Sequence, residues 1–396
     1  MTRYPQRLQR LLNERKEKDT FRQLPSKNTL VDFSSNDYLG FSKSQKIFEN
    51  SLKLLAKGNI QNGATGSRLL SGNHSLYDEV EDMLCDYHKT EAALVFNSGY
   101  DANIGFFSSV PQRGDIIFYD EFIHASIRDG IKMSNARAYK FKHNDIQDLR
   151  AHIERSLKVN NEGSELYIVT ESVFSMDGDS PNLNTLVNIC EKYSCHLMVD
   201  EAHAVGVFGK NGIGLLQEMG IQDKVFARII TFGKALGCHG AAVLGNMELK
   251  DYLVNFARSF IYTTALPPHS LATILSAYNE LHIISEVYPT LNVDPKTKSS
   301  LGKLRENIDH FNNGLEALSL KQYFIKSNSA IQCCIIPGNT RVKNIAKHLR
   351  KKGFDVKPIL SPTVPENMER LRFCIHSFNS KKEISDVLEQ LATFVS

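Results

Sequence analysis

Short apolar runs recur through the middle of the chain at Ala92–Phe96, Asp115–Tyr119, Ala138–Phe141, Leu166–Thr170, His196–Asp200, Arg228–Thr231 and Ala241–Gly245. Their length and composition predict buried strands. Between them lie helical spacings, such as Ile146, Leu149, Ile153 and Leu157, then Leu183, Leu186, Val187, Ile189 and Cys190. This alternation predicts an α/β fold with a mostly parallel seven-stranded sheet covered on both faces, which would bind ligands beyond the carboxyl ends of its strands. Before this block a charged helix is predicted over roughly Pro5–Arg22, followed by an irregular stretch to the turn Asp37-Tyr38-Leu39-Gly40. After the polar stretch Glu286–Ser299 the pattern changes to a helix at 301–318, a strand at 330–336, a helix at 341–352, a strand at 370–376 and a helix capped by Ser380. These shifts predict an N-terminal arm (1–45), a large domain (46–285) and a smaller C-terminal α/β domain (286–396).

Composition narrows the function classes. With 47 Lys+Arg against 44 Asp+Glu the net charge is +3, too small to demand a nucleic acid or an anionic membrane as partner. No apolar run reaches the roughly 18 residues of a spanning helix, and the charged segment Met1–Leu24 lacks an apolar signal core; a cytoplasmic address is expected. The 7 cysteines are odd in number and scattered, which predicts reduced thiols and no disulfide. No zinc-site spacing and no H-E-x-x-H motif occurs, so no metal is expected.

The loops that follow the strands carry the unusual residues. In Thr231-Phe232-Gly233-Lys234-Ala235-Leu236-Gly237 a lysine sits between two glycines. The run is no phosphate-binding Walker loop, because Arg228 and Ala235 stand where that loop needs Gly and Ser or Thr. Burial would make Lys234 a nucleophilic, Schiff-base-forming amine; the alternative is a lysine at a loop mouth with its head in water. The run Leu197–Asp200 leads into Glu201-Ala202-His203. Asp200 there suits either a helix N-cap or the pyridinium partner found in pyridoxal phosphate sites, with His203 toward the ring's phenolic oxygen. Phe96-Asn97-Ser98-Gly99-Tyr100 places backbone N–H groups at a helix start, which suits a phosphate. His124 and Ser175 follow two further strands, each with a structural reading open beside stacking on, or bonding to, a ring.

In this order, with Lys234 last, the segments resemble the fold type I pyridoxal-phosphate enzymes, and among them the α-oxoamine synthases. The resemblance includes Asp32–Gly40, Gly66–His74, Phe260–Pro268, Ser361–Pro365 and Arg370–Arg372, and so spans nearly the whole chain. It implies that Lys234 carries the cofactor and acts as base. It gives Asp200 the pyridine nitrogen, His203 the phenolic oxygen, His124 a stacking role and Ser175 the ring substituents. The phosphate falls to Gly99, Tyr100 and Thr231, with Thr264 reaching across from a second subunit of a homodimer with shared active sites. Arg372 is implied as the anchor of the amino-acid carboxylate with Asn36 beside it, and Arg22 and Thr363 as contacts of the acyl substrate. The pattern is most similar to members that condense L-alanine with a pimeloyl thioester carried by coenzyme A or acyl carrier protein. Relatives using glycine or serine with other acyl donors, such as serine palmitoyltransferase and 2-amino-3-ketobutyrate ligase, share the chemistry. One departure is visible: Leu360 and Ser361 stand where many members have an arginine before Pro-Pro-Thr-Val-Pro. A nicotinamide-binding dehydrogenase would share the layered sheet but needs a G-x-G-x-x-G turn, and Gly209-Lys210-Asn211-Gly212-Ile213-Gly214 has the wrong spacing.

Overall fold

The computed structural model describes residues 4–18, 20–24, 29–57, 61–158, 163–286 and 299–395. The polar stretch 286–299 falls almost entirely outside them. In chain order the strands are Val31–Asp32 (β1), Ala92–Phe96 (β2), Ile116–Asp120 (β3), Arg137–Phe141 (β4), Leu166–Glu171 (β5), Cys195–Asp200 (β6), Ala227–Thr231 (β7), Ala241–Gly245 (β8), Ile331–Ile335 (β9), Phe354–Asp355 (β10), Lys357–Ile359 (β11) and Arg370–Cys374 (β12).

Seven of them form the main sheet in the order β2-β8-β7-β6-β5-β3-β4. Only β8 runs against the rest. Every other carboxyl end therefore opens on one edge, where the loops after β2, β3, β5, β6 and β7 meet. The inner strands are mostly apolar because both faces are covered, with buried Arg228 in β7 an exception. Ile117, Val169, Met198 and Ile229 join one apolar cluster, while Ile116, Phe118, Ile168, Leu197 and Val199 join another. The edge strand β4 instead exposes Arg137 and Lys140, charges that discourage pairing with another chain.

A second, antiparallel sheet of β11-β12-β9 packs with helices Ser300–Ala317, Asn339–Lys351 and Lys381–Val395. The last helix starts as expected after Ser380, whose Oγ accepts the Glu383 N–H at 3.2 Å while the Glu383 carboxylate accepts the Ser380 N–H at 2.7 Å, a reciprocal capping box. β1 pairs with β10, and Phe33, Tyr38, Leu39 and Phe41 are buried in the same apolar cluster as Phe373. The stretch read as irregular is thus woven into the body of the fold. The N-terminal helix is shorter than the spacing predicts, Gln6–Glu17 rather than 5–22. It ends where the Thr20 N–H turns back onto the Arg15 carbonyl at 2.8 Å.

The glycine-rich run at 209–214 serves the protein's own interior. Gly212 and Gly214 have φ of +76° and +100°, and a Cβ on Gly214 would stand 3.0 Å from both carboxylate oxygens of buried Glu201. Glu201 Oε1 accepts the N–H groups of Leu215 and Leu216 at 2.8 and 3.0 Å.

Candidate active site

Lys234 leaves the end of β7 and turns its amine inward, with Nζ 2.7 Å from His203 Nε2. The other ring nitrogen, Nδ1, lies 2.8 Å from the Tyr38 hydroxyl. That hydroxyl bonds Asn36 Oδ1 at 3.2 Å, and the same oxygen accepts Arg372 Nη2 at 3.0 Å. Lys234, His203, Asn36 and Arg372 therefore belong to one connected chain whose linking member, Tyr38, the sequence reading did not single out. Burial and the charges of Lys234 and Arg372 hold His203 well below the usual histidine range, so it is neutral and carries one ring proton. Burial pulls the Lys234 amine down to about 8, opposed by Asp200 and Glu171 and reinforced by Arg372.

Asp200 ends β6 and is buried. Its Oδ1 accepts the Ala202 N–H at 2.9 Å and its Oδ2 accepts Asn103 Nδ2 at 3.0 Å. No helix starts at this position, because residues 202–207 form turns, so the N-cap reading fails. No cation neutralises this buried carboxylate among the described ion pairs, which suits a protonated ring nitrogen. Glu171, in register beside Asp200 across β5 and β6, takes the His124 N–H at 2.5 Å. Burial, added to the neighbouring Asp200 charge, pushes its carboxyl up to about 8, so at neutral pH it is largely protonated.

His124 caps a helix, Ala125–Met133, with Nδ1 2.7 Å from Ser126 Oγ, and that oxygen also accepts Asn103 Nδ2 at 3.0 Å. Burial, with the Lys234 charge, lowers its pKa, so it offers a neutral ring. Ser175 is buried and its carbonyl accepts Arg372 Nε at 2.7 Å.

The helix Gly99–Ser109 follows β2, capped by Ser98, whose Oγ accepts the Asp101 N–H at 3.0 Å. The first helical N–H groups, those of Gly99 and Tyr100, have no partner inside the helix and point out of its positive end. Thr231 stands alongside, its Oγ1 3.7 Å from where a Gly99 Cβ would be. That hydroxyl donates to the Gly240 carbonyl at 3.1 Å and accepts the Gly233 N–H at 3.4 Å. The Tyr100 side chain does not cover the site: it is 50% exposed and bonds Asp129 at 2.9 Å. Thr264 sits beside β2's end, its carbonyl accepting Asn97 Nδ2 at 2.6 Å.

Arg22 and Thr363 line a cavity of about 710 Å³ with Lys343, Lys347, Lys357 and Leu360. Thr363 and Pro362 also line a smaller cavity of about 330 Å³ that reaches His124 and Ser175. The two cavities thus share Pro362 and Thr363 in their walls. The donor set fits pyridoxal phosphate: an amine of depressed pKa, a buried carboxylate, two neutral imidazoles and free amides at a helix start.

The family model for aminotransferase class I and II matches residues 28–391. The 8-amino-7-oxononanoate synthase of Emericella nidulans is 39% identical over 390 residues, covering 94% of this chain and 90% of that protein. Among solved structures, a Sphingomonas wittichii serine palmitoyltransferase superposes with a TM-score of 0.81 at 26% identity, covering 92% of this chain and 87% of that one. A Francisella tularensis 8-amino-7-oxononanoate synthase superposes at 0.74 with 28% identity, covering 93% and 98%.

Proposed function

The chain belongs to the aminotransferase class I and II family and within it to the α-oxoamine synthases, and on that premise we propose that it condenses L-alanine with a pimeloyl thioester. The products are 8-amino-7-oxononanoate, carbon dioxide and the free thiol, a step of biotin synthesis. The observation that carries this reading is the meeting of Lys234, His203, Asp200 and Arg372 in one buried cleft of a chain so similar to a named synthase. Pyridoxal phosphate, when bound, supplies an aldehyde for amino groups and an electron-accepting ring.

The protein's residues do the rest. Lys234 Nζ, held against neutral His203, takes the Cα proton of alanine, and its lowered pKa raises the share of unprotonated amine near neutrality. Asp200 holds a proton on the ring nitrogen by its charge. Arg372 fixes the alanine carboxylate with a planar fork and so decides which bond at Cα is aligned for cleavage. The nucleophilic Cα attacks the thioester carbonyl, the thiol departs, the carboxylate of the former alanine leaves as carbon dioxide, and Cα takes a proton back from Lys234 to give the amino ketone. Gly99, Tyr100 and Thr231 bind the phosphate, and His124 stacks on the ring. Thr264 completes the phosphate site of a second subunit. Leu70 and Tyr262, 84% and 73% exposed on segments that touch each other, give a second copy apolar surface to cover. The reaction is cytoplasmic, in keeping with seven free thiols.

Attachment of the cofactor should report the lysine directly. Only the neutral amine attacks an aldehyde, so lowering the pKa from 10.5 to about 8 makes the attacking form abundant near neutrality. The rate at which cofactor-free protein gains its visible band on mixing with pyridoxal phosphate should rise with pH and level off above about 8. A rate still climbing steadily to pH 10 contradicts the environment described for Lys234.

Lys343, Lys347 and Lys357 line the same hollow as Leu360, which brings no charge of its own, and they suit the phosphates of coenzyme A or an acidic carrier protein. The double variant Lys343→Glu, Lys347→Glu should raise the KM for the pimeloyl donor roughly tenfold at low salt and leave kcat within about twofold, with the gap closing as salt screens the charges. An unchanged donor KM places the carrier elsewhere. The reaction itself is tested by supplying alanine with pimeloyl-coenzyme A or pimeloyl carrier protein and identifying the amino ketone by mass. Serine with palmitoyl-coenzyme A is the comparator, and product only from that pair rejects the alanine reading.

A further inference from the structure

Behind the active-site loops, His143 lies between two carboxylates. Its Nδ1 is 2.9 Å from Asp120 Oδ1 and its Nε2 2.9 Å from Asp179 Oδ2. A neutral imidazole has one N–H and would set a lone pair against one of these carboxylates, so the double contact requires the imidazolium. Although burial pulls the other way, hydrogen bonds to Asp120 and Asp179 raise the ring to about 10. Asn144 doubles both links, its N–H on Asp120 Oδ2 at 2.8 Å and its Nδ2 on Asp179 Oδ2 at 2.7 Å. The His143 ring stacks on Phe122 at 4.4 Å and meets the edge of Phe174 at 4.5 Å.

These contacts join two loops that neighbour each other nowhere in sequence. Asp120 ends β3 and Phe122 lies in the following loop that presents His124, while Phe174 and Asp179 flank Ser175, on whose carbonyl Arg372 rests. Phe122, His124 and Ser175 line the same cavity. We propose that His143 is a positioning residue, a cationic clamp that sets the spacing between His124 and Ser175 and thereby the slot in which the cofactor ring and alanine are held. The proposal rests on the cofactor site described above, and displacing catalytic groups by about 1 Å can cost roughly 100-fold in rate.

The test uses holoenzyme carrying Asp179→Ala, which cuts the cross-link but leaves the His143–Asp120 pair, and His143→Gln, which replaces two opposed ring donors with one uncharged amide group. In both, the visible circular dichroism of the bound cofactor should fall at least about twofold and kcat roughly ten- to hundredfold, with the KM for the pimeloyl donor within about threefold. Asp179→Asn, whose amide oxygen still accepts from Nε2, should restore kcat to within about threefold of wild type. A lowered melting temperature with wild-type dichroism and kcat in Asp179→Ala overturns the proposal, whether or not His143→Gln folds. A wild-type chain with no cofactor band overturns the cofactor reading itself, whereas a normal wild-type band with indifferent variants overturns the clamp alone.

Discussion

Lys234→Ala is expected to lower turnover by at least about 10⁴-fold, since in the proposed reaction one amine both holds the cofactor and moves the Cα proton. That is about 5.5 kcal/mol of barrier, more than any neighbour here could supply. Thiol release with alanine and the pimeloyl donor measures it, and borohydride followed by peptide mapping should label position 234 in wild type only. The variant should still take up pyridoxal phosphate through the helix N-terminus at Gly99 and the carboxylate of Asp200, but lose it on dialysis. The loss is separable from misfolding by the sign of the linkage. A lysine whose folded pKa is about 8 against an ordinary 10.5 is protonated more readily in the unfolded chain, so below pH 8 its burial disfavours the folded state. Removing it should leave the melting temperature of cofactor-free protein unchanged or higher. Residual turnover above about one percent would give the proton transfer to another group.

The strands and the loops after them were legible because a covered parallel sheet writes itself as continuous apolar runs, and its ligand edge follows from strand direction. Boundaries moved by a residue or so, as at Ile116–Asp120 against the expected 115–119. The reversed direction of β8 was also within reach: only residues 232–240 separate it from β7, fewer than a parallel crossover needs. The β10–β11 segment was not legible. It pairs two residues with β1 and three with β12, too short for any periodicity, with Pro358 inside it. Within the site, Lys234, Asp200, His203 and Arg372 stand in recognisable local patterns. Tyr38 acquires its role only through His203, 165 positions away, Asn103 through Asp200, 97 positions away, and Glu171 through its register neighbour Asp200. His143 reads in sequence as one polar residue of a turn, and only the folded chain brings Asp120 and Asp179 to its two nitrogens. What sequence hid was the set of groups whose meaning lies in long-range partners.

Arg372→Lys should raise the alanine KM roughly 100-fold while leaving the KM for the pimeloyl donor within about threefold. The guanidinium is held on β12 by three bonds of its own: Nε to the Ser175 carbonyl at 2.7 Å, Nη1 to Cys374 Sγ at 2.9 Å and Nη2 to Asn36 Oδ1 at 3.0 Å. Five donors in a rigid plane leave two for a carboxylate, and their direction is set by the three already engaged. A lysine there keeps the charge but has three donors on a flexible stem, so it cannot satisfy the buried acceptors and orient alanine as well. kcat should fall too, by roughly tenfold, because a carboxylate free to swing no longer fixes which Cα bond faces the electron sink. Asn36→Ala should reproduce the same pattern more weakly, since it removes one of the three restraints and leaves the charge in place. A full alanine response in Arg372→Lys would move the carboxylate anchor to another cation, and Arg370 is the wrong candidate. It is fully buried and its charge is committed to the Asp177 carboxylate, whereas no carboxylate pairs with Arg372 among the described ion pairs.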